Sequence, residues 1–169
     1  MRHRVSPVGQ LPGRQAPNLG VKAMDVQTTR FGPIEIAADD VIRFPEGVPG
    51  FPDCRDWVLL ADGRNAALAW LQSVDRPEVA FAVVSPRRYV PGYRLHVARR
   101  ELEPLEFESL QAIRVLAIVG KSERSVTLNL KAPVVINLDR RLGRQVIANG
   151  ELSVQHELQS TVDARKRIA

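Results

Sequence analysis

Residues 126–138 read VTLNLKAPVVINL, and their pattern decides the fold. Val126, Leu128 and Leu130 alternate with Thr127 and Asn129, so successive side chains fall on opposite faces, with the period of a strand and not of a helix. From Val134 the run VVINL is apolar on both faces, as a central strand is. The same period extends outward in both directions. Ile34 and Ile36 flank Glu35; Tyr93, Leu95 and Val97 alternate with Arg94 and His96. Leu152, Val154, His156 and Leu158 share a face opposite Ser153, Gln155 and Glu157. WVLLA from Trp57, VAFAVV from Val79 and VLAIV from Val115 are apolar on both faces and read as further central strands.

Turn residues separate these runs at short intervals: Phe31-Gly32-Pro33, Pro45-Glu46-Gly47, Asp62-Gly63, Arg76-Pro77, Pro91-Gly92 and Asn149-Gly150. Many short strands so punctuated predict an all-β chain, a compact antiparallel β-barrel-like domain. The exception is ARRELEPLEFESLQ from Ala98, whose Glu and Leu content favours helix while Pro104 interrupts it. It is expected to form one or two short helical turns.

At 169 residues the chain suits one domain with a sizeable core. The segment 1–23 holds Pro7, Pro12, Pro17, Gly9, Gly13 and Gly20 and few large apolar side chains, so it is expected to be a disordered basic extension. The β domain then spans 24–159, and 160–169 is a basic C-terminal tail. Arg2 and Arg4 have no apolar core behind them, unlike a secretion signal, and no apolar run reaches membrane-helix length. The lone Cys54 has no partner for an internal disulfide, which fits a reducing cytoplasm. The net charge of +5 divides into +4 over 1–23, +2 over 160–169 and −1 over 24–159. A nearly neutral body argues against direct nucleic-acid binding, which draws on basic charge on the folded surface.

Catalytic signatures are missing: no GxxxxGK[ST] loop, GxSxG elbow or HExxH helix occurs. His3, His96, His156 and Cys54 are dispersed without metal-ligand spacing, and no residue places a base beside Cys54. Neither a cofactor nor enzyme activity is expected. Glu101, Glu103, Glu106 and Glu108 form the densest acidic stretch of the body, either a solvated face or a surface turned toward a basic partner.

Three segments carry a resemblance to a known family. IRFPEGVPGF, Ile42 to Phe51, combines an aromatic, a Pro-x-Gly turn and Pro-Gly-Phe. LAWLQSVDRPEVAFAVVSP, Leu68 to Pro86, contains an aromatic-Leu-Gln-Ser strand followed by an Ala-Phe strand. TLNLKAPVVIN, Thr127 to Asn137, is followed by GRQVI from Gly143 and is the most specific string. Together they resemble the flagellar assembly factor family FliW, from Met24 to about Leu158. The extension 1–23 departs from it, since members usually begin near the equivalent of Met24.

The resemblance implies a cytoplasmic protein-binding regulator. FliW proteins bind the RNA-binding translational repressor CsrA and also flagellin, so that flagellin mRNA is relieved of repression when FliW is free to take CsrA. One domain with two exclusive ligands links their equilibria through its differential affinity. The expected partner surface carries Phe44, Pro49 and Phe51, with Gln72, Asn129, Pro133 and Asn137 at strand ends, because aromatic anchors ringed by polar groups suit an interface. Each of these residues also has a purely structural use. Glycines and Pro49 can simply turn the chain, aromatics can fill the core, and Asn or Gln can bond loop backbone. The competing reading is an OB-type nucleic-acid barrel using its basic tails. That class displays several exposed aromatics, whereas aromatics here are 5 % and Trp70 and Phe81 sit in apolar runs that read as core. A monomer is expected, since no self-complementary patch stands out.

Overall fold

The computed structural model describes residues 6–7 and 22–158. Eleven strands occur among them: β1 Ser6–Pro7, β2 Ala23–Val26, β3 Ile34–Ala37, β4 Val41–Arg43, β5 Asp56–Ala61, β6 Leu68–Ser73, β7 Ala80–Val84, β8 Ile113–Lys121, β9 Val126–Asn137, β10 Leu142–Gln145 and β11 His156–Glu157. β4 to β10 close a seven-stranded barrel in the order β5-β4-β10-β9-β8-β7-β6 and back to β5. The ring consists of two well-paired halves. β4 to β7 pair antiparallel in chain order, and β8 to β10 form the other half. The seams between them are thin. β10 meets β4 in parallel only at Leu142 and Arg43, and β7 meets β8 only at Val83 with Ile118 and Val84 with Ala117.

The runs that are apolar on both faces have two cores to fill. Trp57 and Leu59 of β5 point into the barrel with Ile42, Leu71, Val83, Val134 and Ile136. Val58 and Leu60, one residue out of step, point outward and are covered by Val26 and Ile36 of the β2–β3 hairpin. On the opposite wall Val135 packs outward against Leu105 and Val146. The hairpin is fastened at Trp70, whose ring meets the Phe31 edge at 5.9 Å and carries the Arg30 guanidinium 3.9 Å above it. The indole Nε1 of Trp70 donates to Asp62 Oδ2 at 3.1 Å. That bond, followed by the backbone N–H of Arg64, holds the Asp62 carboxyl below its ordinary value of 3.8.

β9 is one bent strand, not two. Its partner β8 pairs Ile118 with Asn129 and Leu116 with Val134, so Leu130–Pro133 lie opposite the single residue Ala117. Such a bulge leaves backbone groups without ladder partners. The Asn129 side chain accepts from Ala132 N at 2.9 Å, and Gln145 Nε2 donates to Ala132 O at 2.8 Å. Pro133, buried and lacking an N–H, sits where no β8 partner requires one, and its carbonyl accepts from Val146 N.

Two expected strands differ. Tyr93, Leu95 and Val97 pack inward while Arg94 and His96 stay exposed, yet residues 93–98 join no ladder. Residues 152–158 pair only at His156–Glu157, and Val154 is 57 % exposed, so the alternation there does not mark a buried face. The excursion after Ala98 forms α1, Arg99–Leu102, then a 3-10 turn over Glu103–Leu105 that ends where Glu106 takes a φ of 49°. Ser6–Pro7, within the segment expected to be unstructured, runs antiparallel to Ala61 and Leu60 of β5. The structure of residues 1–5, 8–21 and 159–169 lies outside the described part, and the expectations of a disordered extension and a basic tail fall mostly there.

Candidate binding surface

The loop 44–55 is built by its turn residues. Phe44 N bonds Arg55 O at 2.7 Å and closes the loop base. Val48-Pro49-Gly50-Phe51 makes a tight turn in which Phe51 N bonds Val48 O at 2.7 Å, with Pro second and Gly50 third at φ 87°. Gly47 has φ 69°, and a Cβ there would lie 2.7 Å from the carbonyls of Phe51 and Pro52, so only glycine fits. The turn delivers Phe51 to the outside of an aromatic row. Phe44 meets Trp57 at 5.9 Å, Trp57 stacks on Phe81 at 5.7 Å, and Phe81 meets the Phe51 edge at 5.5 Å. Phe44 is fully buried at the inner end, filling the space over Gly143. Phe51 is half-buried at the outer end, next to exposed Pro49.

A second turn, Val74–Glu78, lies beside this ring. Asp75 Oδ2 accepts from Arg55 N at 2.8 Å and Asp56 N at 2.9 Å, tying the turn to the end of the loop. Arg76 pairs with Glu78 at 2.7 Å and places its guanidinium 5.9 Å from the Phe51 ring centre. The Glu78 carboxyl is held below its ordinary range by its own backbone N–H and by Arg76. Beneath, Gln72 is 0 % exposed and spends its Nε2 on the carbonyls of Ser73 (2.9 Å) and Val79 (3.1 Å), with Pro77 O at 3.3 Å. Its Oε1 is buried without a partner.

The seven residues expected to form one surface therefore separate. Pro49 and Phe51 share an accessible face. Phe44, Gln72, Pro133 and Asn137 are buried, which corrects their placement on a docking surface. The physical reason is that each serves the chain itself. Asn137 donates to Leu105 O at 2.8 Å and accepts from Asp139 N and Arg140 N, anchoring the helical excursion to the end of β9. Asn129 is half-buried and committed to the β9 bulge on the other half of the barrel. The sequence reading missed Arg76 and Glu78. Their signal in the sequence is the Arg-Pro-Glu turn directly after the Gln72 strand, which reads first as chain punctuation. Among the described residues no group of His, Cys, Asp or Glu is arranged to hold a metal, and no helix is long and apolar enough to cross a membrane. Cys54 is buried, and its carbonyl accepts from Trp57 Nε1.

This architecture has known counterparts. The family model of the FliW protein matches residues 25–158. The chain is 34 % identical over 139 residues to the flagellar assembly factor FliW of Thermoanaerobacter pseudethanolicus, covering 80 % of this chain and 93 % of that relative. It is 35 % identical over 145 residues to FliW of Bdellovibrio bacteriovorus, covering 84 % and 83 %. A crystal structure of the flagellar assembly factor FliW superposes with a TM-score of 0.74 at 34 % identity, covering 80 % of this chain and 96 % of that one. From the Pro-Gly-Phe loop to the bent β9, the chain belongs to the FliW family of flagellar assembly factors.

Proposed function

We propose that this flagellar assembly factor acts in the cytoplasm as a partner switch, binding a CsrA-type RNA-binding regulator and flagellin in alternation. Free of flagellin, it holds the regulator and relieves repression of flagellin mRNA. When flagellin accumulates, the protein is drawn away from the regulator. The observation that supports a binding role best is Phe51. An aromatic ring is held half out of the core by a rigid Pro-Gly turn, backed by Phe81 and rimmed by Pro49, Arg76 and Glu78. A pre-set aromatic anchor with a charged rim binds without a large ordering cost, which is how interfaces concentrate their energy.

The test is calorimetric titration of the full chain with a CsrA-type regulator and, separately, with flagellin, followed by competition between them. Both are expected to bind and to exclude each other. Phe51→Ala should weaken at least one of the two by about thirtyfold while the variant still melts cooperatively. Absence of binding to either protein would remove the switch. Wild-type affinity in Phe51→Ala would move the interface elsewhere.

A further inference from the structure

Near-neutrality of the body conceals a strong division of charge. Residues 79–100 contain Arg87, Arg88, Arg94, Arg99 and Arg100 and no acid, giving +5. The −1 of residues 24–159 thus splits into +5 in this stretch and −6 in the rest. The structure lines these cations up. The 3-10 turn Pro86–Arg88 exposes Arg87 and Arg88, and Arg87 Nε donates to Tyr93 O at 3.2 Å, which sets it beside Arg94. From Tyr93 the chain runs extended with Tyr93, Leu95 and Val97 packed inward, so Arg94 and His96 face solvent and lead to exposed Arg99 and Arg100. Arg94 and Arg99 stand at most roughly 18 Å apart along such a chain. Among the described residues Arg87, Arg88, Arg94 and Arg99 enter no ion pair, and Arg100 reaches only Glu101 at 3.8 Å.

We infer that this arginine row is a second interaction surface, one that takes a short acidic segment of a protein partner. Like charges gathered without counter-charges repel one another, and an anionic ligand relieves that repulsion. All five are arginines, whose planar forks bind carboxylates in pairs. Phosphate would satisfy the same forks, but two observations favour a peptide over RNA. Tyr89, 37 % exposed, is the single exposed aromatic of the row, where single-strand binders offer several stacking platforms. The rest of the body carries −6, so a polyanion longer than the row would be carried onto repelling surface, whereas a short acidic segment ends before it. This surface shares no residue with the Phe51 face and does not depend on which partner that face takes.

The experiment is fluorescence anisotropy of the full chain with a labelled oligoglutamate peptide and with an oligouridylate of equal charge. The peptide should bind with an affinity that falls as salt rises. Arg88→Glu together with Arg94→Glu should weaken it about tenfold, while Arg124→Glu, outside the row and in no ion pair among the described residues, leaves it within twofold. All of these side chains are exposed, so the variants should keep the wild-type melting curve. Unchanged peptide affinity in the double variant, or tighter binding of the oligouridylate than of the peptide, would overturn the inference. So would dimerisation of the wild type in sedimentation that the double variant abolishes, since the row would then belong to Glu101–Glu108 of a second copy.

Discussion

Truncating the two ends of the aromatic row separately, Phe44→Ala and Phe51→Ala, tests whether the Pro-Gly loop is a plug, an anchor or both. Phe44 is 0 % exposed, lies over Gly143 and meets Trp57, so its removal leaves a void the rigid barrel wall cannot fill. Buried Phe→Ala changes cost about 3–5 kcal/mol, against a total domain stability of roughly 5–15 kcal/mol. Phe51 has lost only part of its ring surface to Phe81, so its truncation should cost about half as much, ~2 kcal/mol. With a shift of about 4 °C per kcal/mol for a body of this size, Phe44→Ala should melt about 16 °C lower and Phe51→Ala about 8 °C lower. Urea titration followed by tryptophan fluorescence reads both, because Trp57 stacks in the row, and m should stay constant. Partner affinity should show the opposite order, with Phe51→Ala impaired and Phe44→Ala near wild type below its transition. Equal destabilisation by the two changes, or a larger effect at Phe51, would refute the division of the row into buried and exposed ends.

Gly143→Ala should destabilise by more than 3 kcal/mol, since a Cβ there overlaps the Phe44 ring, and the double variant with Phe44→Ala should recover part of that loss in the same urea assay. Asn137→Ala should cost about 2–3 kcal/mol and speed hydrogen exchange at Asp139 and Arg140, whose N–H groups lose their acceptor. Because Asp62 is held below its ordinary 3.8 by Trp70 and Arg64, its contribution is present above that value and is lost as pH falls through the lowered one. Asp62→Asn should therefore trail the wild type at neutral pH, and the gap in melting temperature should close below pH 3.8. Gln72→Glu should be worse than Gln72→Leu at neutral pH, because it aims a carboxylate at the carbonyls of Ser73 and Val79. Burial raises the pKa of such a carboxyl, so the penalty should shrink on acidification, measured by melts at several pH values.

The period of two was legible in the sequence because each barrel strand has a buried inner face, and the doubly apolar runs were legible because the hairpin and the helical excursion bury the outer face as well. At Leu152–Leu158 the alternation is not matched by burial, since Val154 is exposed, and Tyr93–Val97 shows a second limit of that signal. There alternation records which side chains are covered, and a chain lying on a barrel wall alternates whether or not its backbone finds a ladder. The Asn and Gln positions were harder still. Asn129, Asn137 and Gln72 sit where β9 bulges, where the excursion is anchored and where a turn closes, and each side chain replaces a missing backbone partner. From sequence, such a residue is indistinguishable from one waiting for a ligand, since both are polar residues among apolar ones.

Charge posed the reverse problem. The sum of −1 over residues 24–159 argues against direct nucleic-acid binding, yet it hides local charge, since the relevant length is the Debye length, about 8 Å at physiological salt, far below the dimension of the body. Arg87, held beside Arg94 by its bond to Tyr93 O, has a cation for a neighbour, and neither forms an ion pair among the described residues. A partner approaching the protein meets a cationic row on one face and acidic surface elsewhere, so encounter is oriented before contact is made. Orientation of this kind gives the Phe51 ring a use beyond its own burial. A small, half-covered aromatic holds a partner best when that partner already arrives in register, and a division of charge is the kind of feature that orients an encounter before contact.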